Sequence, residues 1–219
     1  MSSILILSIS AANAGGDIME KNDVAWLKPS QVEEMRDAAY AGSQGIGLRD
    51  ELIITLLYDL GLRRSELAQL DTDMIDLDEE VIRLPGDIQK DYPTDGSPRH
   101  VVMELDRGDN VQLHTSRILK RYLEDHNETA LISSRESSRI SPKSVNLAVK
   151  RAAANAGVKP YQFTGRGTPG DISAHTLRHS VAWRLMRAED GYSIYNVKNR
   201  LRHSSVMTTE QKYAHFDKV

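Results

Sequence analysis

The chain has no cysteine, and only two phenylalanines and two tryptophans, among its 219 residues. Without cysteine there is no disulfide framework and no thiolate metal site, so a reducing, cytoplasmic setting is expected. No apolar run reaches the roughly 18 residues that a membrane-spanning helix needs, so no such helix and no membrane partner are expected. Charge of one sign is also scarce, at a net −3, which would not suit a uniformly basic nucleic-acid binder. The mean hides a split. Residues 1–110 carry 10 Lys and Arg against 22 Asp and Glu, whereas residues 111–219 carry 18 against 9. Such polarity predicts one face built for a polyanion; chance clustering on solvated helices is the alternative.

Ile4-Leu5-Ile6-Leu7 followed by Ala11-Ala12-Asn13-Ala14-Gly15-Gly16 faintly resembles a signal peptide. It lacks a basic n-region, and Ser8 and Ser10 break its apolar run. Residues 1–24 therefore read as a loose tail and residues 25–219 as one domain. Trp26-Leu27-Lys28-Pro29-Ser30 opens a helix, with Pro29 in the first turn and Ser30 and Glu33 as a capping box. Leu52, Ile53, Leu56, Leu57 and Leu60 form the apolar stripe of a helix over 48–60, ended by Gly61. A short helix over 63–70 and an acidic segment over 71–80 follow. Val81-Ile82-Arg83-Leu84 and His100-Val101-Val102-Met103, joined through Pro85-Gly86 and Pro93-Thr94-Asp95-Gly96, read as a long hairpin. Helices are expected over 111–126, 142–156 (ended by Gly157), 173–189, 195–201 and 208–213, with a loop over 161–170. The expected fold class is mainly α with a small antiparallel β-sheet (α+β).

Three segments hold polar groups at odds with this pattern. Gly61-Leu62-Arg63-Arg64-Ser65-Glu66-Leu67 sets Arg63 at a helix start, where free N–H groups and the dipole favour phosphate; a surface Arg near a cap is the plainer reading. His175-Thr176-Leu177-Arg178-His179 opens an otherwise apolar helix. His175 and His179 have the i,i+4 spacing of a zinc-protease helix, but Thr176 stands where that helix carries its catalytic Glu, and no third ligand follows. No metal is therefore expected. His175 and Arg178 share a face on which an imidazole and a guanidinium could meet one phosphate. In the terminal stretch, Thr208 or Thr209 can cap a last helix carrying Tyr213.

In this order the three segments resemble the tyrosine recombinase (phage integrase) family, whose catalytic domain carries Arg…Lys…His-x-x-Arg…His/Trp…Tyr. The resemblance rests on Gly-Leu-Arg-x-Ser-Glu-Leu, His-x-Leu-Arg-His and His-Ser-Ser…Thr-Thr…Tyr-x-His, and it covers nearly the whole chain after the tail. It implies Arg63 and Arg178 as phosphate-clamping arginines, His175 as the helix histidine, His203 as the second histidine and Tyr213 as the nucleophile. The family's lysine sits in the hairpin turn, where Lys90 is the only lysine between Lys28 and Lys120. Glu66 and His179 are expected behind these residues as supports. The implied partners are double-stranded DNA, contacted by Arg64, Arg99, Arg117, Lys120, Arg121, Arg139, Lys143 and Lys150, and other protomers in a synaptic complex. The implied reaction is strand exchange through a 3′-phosphotyrosyl link, with no metal, ATP or other cofactor.

Three departures from the family pattern carry expectations of their own. Arg202 precedes His203 where the family usually has Gly; if that position needs φ > 0, Arg costs on the order of 1 kcal/mol there. The interval from His203 to Tyr213 is one residue longer than is common, so the last helix is expected to start late or bulge. Six residues follow Tyr213, and the family's N-terminal core-binding domain is absent from this sequence. The rival readings are a type IB topoisomerase, a non-catalytic DNA-binding integrase remnant, and a hydrolase with a metal on His175 and His179.

Overall fold

The computed structural model describes residues 24–42, 45–89, 100–107, 112–188, 192–213 and 216. Its helices are α1 (Pro29–Gly42), α2 (Gly47–Leu60), α3 (Arg64–Gln69), α4 (Thr115–Leu123), α5 (Pro142–Ala156), α6 (Ala174–Arg187), α7 (Ile194–Leu201) and α8 (Val206–Tyr213). The strands β1 (Ile75–Asp76), β2 (Val81–Leu84) and β3 (Val101–Glu104) form one antiparallel sheet in that order. Strands β4 (Tyr161–Gln162) and β5 (Gly165–Arg166) form a separate hairpin. The expected mainly α fold with a small antiparallel sheet is the one observed.

Helix α2 organises the domain. The sequence stripe assigned it one buried face, yet Ile54, Thr55, Tyr58 and Asp59 are buried as well. A helix apolar on all sides belongs at the centre of a fold, and α1, α4, α5 and α6 pack around it. Its end is fixed by Gly61 in the left-handed region, with φ 62°. A side chain there would also run into Leu201 Cδ2 at 2.7 Å. The close approach brings the end of α2 against the end of α7, and the site is built at this junction.

Several local expectations need correction. Helix α1 begins at Pro29, and Gln31, not Glu33, reaches back to accept from the Lys28 N–H at 3.1 Å. The acidic segment contributes β1, pairing Ile75 with Ile82. Helix α4 is shorter than its apolar pattern, beginning only after His114, which takes a left-handed conformation. The loop expected over 161–170 contains the β4–β5 hairpin, fastened by reciprocal Trp26–Tyr161 backbone hydrogen bonds of 2.9 Å, and a short 3-10 turn, Pro169–Asp171. Helix α8 starts two residues before Thr208, so the longer interval is absorbed by an early start; the Met207 N–H donates to Ser205 Oγ at 3.1 Å.

Candidate active site

Arg63 leads into α3, and Glu66, one turn on, is fully buried beneath it. The Glu66 carboxylate accepts from the Arg63 N–H and from Arg63 Nη1, each at 2.7 Å. Its second guanidinium partner is Arg202, whose Nη2 donates to Glu66 Oε2 at 2.6 Å. Burial alone would raise the Glu66 carboxyl, but Arg202, then Arg178 and Arg63, outweigh it and hold it below the ordinary carboxylate range. Arg202 is the residue the family pattern would make Gly, and it is left-handed, with φ 52°. The strain anticipated from the sequence is present, and the side chain that causes it is buried on Glu66.

Helix α6 is capped by Ser173, whose Oγ accepts from the Thr176 N–H. That cap sets the phase that exposes His175 and buries Arg178. The Arg178 side chain runs inward and donates to the carbonyls of Gly61 and Leu201, which uses two of its five donors. Burial, then Arg202 and Arg63, push it down to about 9; it remains cationic at neutral pH. His203 lies just beyond α7. Its Nδ1 is 2.8 Å from Thr209 Oγ1, and that hydroxyl can itself donate to the Ser205 carbonyl at 3.4 Å. In that arrangement Nδ1 carries the proton and Nε2 is the acceptor. Burial, followed by Arg178 and Arg63, pushes His203 down to about 3, so it is neutral.

A cavity of about 240 Å³ is lined by Arg63, His175, Arg178, His203, Ser204, Thr208 and Lys212. Three cations and two imidazoles converge there, and among the described residues no carboxylate lines it. Tyr213 does not line it either. Thr208 and Lys212, four residues apart, face the cavity, whereas Thr209 and Tyr213 face inward. The Tyr213 hydroxyl is hydrogen-bonded to His179 Nδ1 at 2.7 Å. Its ring stacks between His203 and Phe216, at 6.0 and 5.6 Å, and Phe216 meets Trp26 edge-on at 5.1 Å. Burial raises the Tyr213 phenol, and Arg178 and Arg63 do not offset it. His179 is lowered well below its usual value by burial, then by His175 and Lys212. The two partners are therefore both neutral.

Lys90 and Arg99 lie outside the described residues. Arg64 is exposed and lines a groove with Arg63, Asn146 and His175 that adjoins the cavity. Arg117 and Lys120 are exposed on α4, as is Arg121, which lies over the Tyr40 ring and donates to its hydroxyl at 3.1 Å. Arg139 pairs with Asp71 at 2.5 Å and also donates to the Ala68 carbonyl. Lys143 is exposed, and Lys150 Nζ donates to the Gly170 carbonyl at 2.9 Å. Sequence reasoning missed Lys212, Thr209 and the role of Arg202; the i,i+4 phase of α8 would have found the first two. Among the described residues no group of three or more His, Asp or Glu could hold a metal ion, and no helix is long and apolar enough to cross a membrane.

Similar sequences and a similar fold are found among known proteins. Tyrosine recombinase XerC of Alcanivorax borkumensis is 30% identical over 214 residues, 96% of this chain and 60% of the relative. Tyrosine recombinase XerD of Bifidobacterium longum is 32% identical, over 86% of this chain and 57% of the relative. The chain thus spans somewhat over half the length of these relatives. Among solved structures, XerA recombinase superposes with a TM-score of 0.63 at 22% identity, over 87% of this chain and 60% of that one. XerH recombinase bound to palindromic difH gives 0.64 at 21%, over 89% and 50%. The model of the phage integrase family matches residues 25–219, the stretch that supplies every residue of the cavity, and the chain belongs to that family.

Proposed function

We propose that this chain cuts and rejoins DNA strands as a site-specific recombinase, using Tyr213 as the nucleophile and needing neither metal nor ATP. The observation that carries the reading is the cavity that gathers Arg63, His175, Arg178, His203 and Lys212, with no carboxylate among its described lining residues. A transferring phosphodiester passes through a crowded anionic phosphorus centre, and preorganised guanidiniums stabilise that charge best where water is excluded. Arg63 and Arg178 take the non-bridging oxygens. Neutral His203 supports the same oxygens or the incoming phenol, and His175, exposed at the cavity edge, serves as the base for the phenolic proton. The Tyr213 oxygen forms the new bond to phosphorus as the bond to the 5′-oxygen breaks. That oxygen leaves with a proton, for which Lys90 is the proposed donor. The product is a 3′-phosphotyrosyl link that conserves the bond for rejoining.

For this to occur Tyr213 must leave His179. Lys212 and Tyr213 are adjacent on α8 and so stand about 100° apart around its axis. A turn of that size, or release of the helix, exchanges the ammonium for the phenol at the phosphate. Double-stranded DNA is the proposed substrate, with Arg64, Arg117, Lys120 and Lys143 among the candidate backbone contacts and other protomers completing a synapse. A second reading, a DNA binder that does not cut, is favoured by one observation: Tyr213 is buried and outside the cavity. Incubation with a pool of nicked suicide duplexes, followed by denaturing gels, separates the two. The recombinase reading expects a covalent protein–DNA band that Tyr213→Phe abolishes. Binding without any band would leave the second reading standing.

A further inference from the structure

Three arginines meet at the junction of α2, α3 and α7, and they share two acceptors. Glu66 lies between Arg63 and Arg202. The Gly61 carbonyl lies between Arg178 and Arg202, accepting from Arg202 Nη2 at 3.3 Å. Arg202 is thus joined to partners of both clamp arginines. Its other Nη atom, Nη1, donates to the Arg200 carbonyl at 3.1 Å and lies 3.0 Å from Met103 Sδ, on strand β3. The guanidinium is buried, while its own backbone is held at φ 52°, where L side chains are strained. Glycine would sit there without strain, so the retained arginine points to work done by the side chain.

We infer that Arg202 is a positioning residue that fixes Arg63 and Arg178 in register for one phosphate. The inference rests on the strand-transfer reading of the cavity. Without Arg202, both Glu66 oxygens are left to Arg63. The carboxylate then draws that guanidinium inward and neutralises more of its charge. The Gly61 carbonyl is left to Arg178 alone, and the end of α7, which supplies the Leu201 carbonyl to Arg178, loses its tie to α3. Each change moves a clamp arginine away from the position in which both can reach the same non-bridging oxygens. Removing Arg202 should therefore weaken the hold on phosphate while leaving the helices in place.

The test uses the full chain with Arg202→Gly, which suits the left-handed backbone, and Arg202→Lys, which keeps the charge but not the fork. Orthophosphate titrated by NMR should bind Arg202→Gly several-fold more weakly than wild type, with Arg202→Lys between them. Adduct formation on a nicked duplex should slow by about 10- to 100-fold in Arg202→Gly, the range for a clamp displaced by an ångström or less. On a duplex whose scissile phosphate is a neutral methylphosphonate, the deficit should shrink to within about threefold, since less charge needs clamping. Equal deficits on both duplexes, or wild-type phosphate affinity in Arg202→Gly, would overturn the inference. Should Arg202→Gly fail to fold, wild-type phosphate affinity in Arg202→Lys overturns it and a weakened one supports it. A wild type that forms no adduct would sink the strand-transfer reading, and the phosphate titration would still decide the role of Arg202.

Discussion

The cationic cavity and the helix that carries Tyr213 are held largely by different kinds of bond. Arg63, Arg178 and Arg202 are tied to a buried carboxylate and to the carbonyls that end α2 and α7, in a network of charge-assisted hydrogen bonds. Helix α8 is only eight residues long and has little stability of its own. It rests on α7, on two imidazole–hydroxyl bonds and on a stack of rings from His203 through Tyr213 and Phe216 to Trp26. Burial of apolar surface is non-directional, so much of this packing can be exchanged for similar contacts. On the proposed mechanism the arginine clamp must be ready for charge and is fixed, whereas α8 must move and rests largely on contacts that permit movement.

The largest effect expected from this contrast is at the nucleophile. Tyr213→Phe should abolish the covalent band on denaturing gels while leaving DNA affinity within about twofold. It should also cost about 1–2 kcal/mol in denaturant unfolding, because His179 Nδ1 loses its buried partner. Next in size are the clamp residues. Arg63→Ala and Arg178→Ala should each slow adduct formation by about 10²–10³. Arg178→Ala should destabilise the fold more, since it strips a buried donor from two carbonyls, whereas loss of Arg63 leaves Glu66 paired with Arg202. Comparable melting temperatures for the two variants would break that distinction.

Lys90 divides the reaction in a different way. If it protonates the leaving 5′-oxygen, Lys90→Ala should be slowed by about 10² or more on ordinary DNA. It should approach the wild-type rate where sulfur replaces the bridging oxygen. Equal impairment on both substrates would reduce Lys90 to a phosphate contact.

Smaller effects test the two histidines behind the tyrosine. His179 and His203 are both held below the usual imidazole value by burial. In the unfolded chain they take a proton below about pH 6.5. Their contribution to stability is therefore complete above that pH and is lost as pH falls from there toward about 3 for His203. The melting temperature should drop between pH 7 and pH 5, and His203→Asn should flatten the drop. The smallest effect belongs to Lys212. Lys212→Ala should reduce the slope of log affinity against log salt by about 0.9, one phosphate contact. An unchanged slope would place Lys212 off the DNA.

How much of this was legible in the sequence depended on how local each determinant is. Gly61, Gly157, Ser141 with Pro142, and Ser173 stop or start helices through their own backbone chemistry, and those ends fall where the sequence put them. The β4–β5 hairpin was missed because each strand pairs only two residues, and β4 is fastened to Trp26, far off in the chain. Helix α8 was mis-phased because Thr208 and Thr209 look like caps, while Ser205 takes that place and Thr209 is used by His203. Arg202 read as a defect because its partner, Glu66, is 136 residues away. The motif residues could be named one by one. That Arg63, His175, Arg178 and His203 share a cavity from which Tyr213 is turned away belongs to the tertiary structure alone.

That separation is tested most directly by fluorine NMR on protein labelled with 3-fluorotyrosine, with the Tyr213 signal assigned by its loss in Tyr213→Phe. In the free protein the Tyr213 phenol should resist ionisation well beyond the ordinary tyrosine range. On adding a duplex with an uncleavable scissile phosphate, its signal should shift and its titration should move down toward neutral pH, as the ring leaves His179 for the guanidiniums of the cavity. A Tyr213 signal that titrates in the ordinary tyrosine range before DNA is added, or that is unmoved once DNA is bound, would contradict the account.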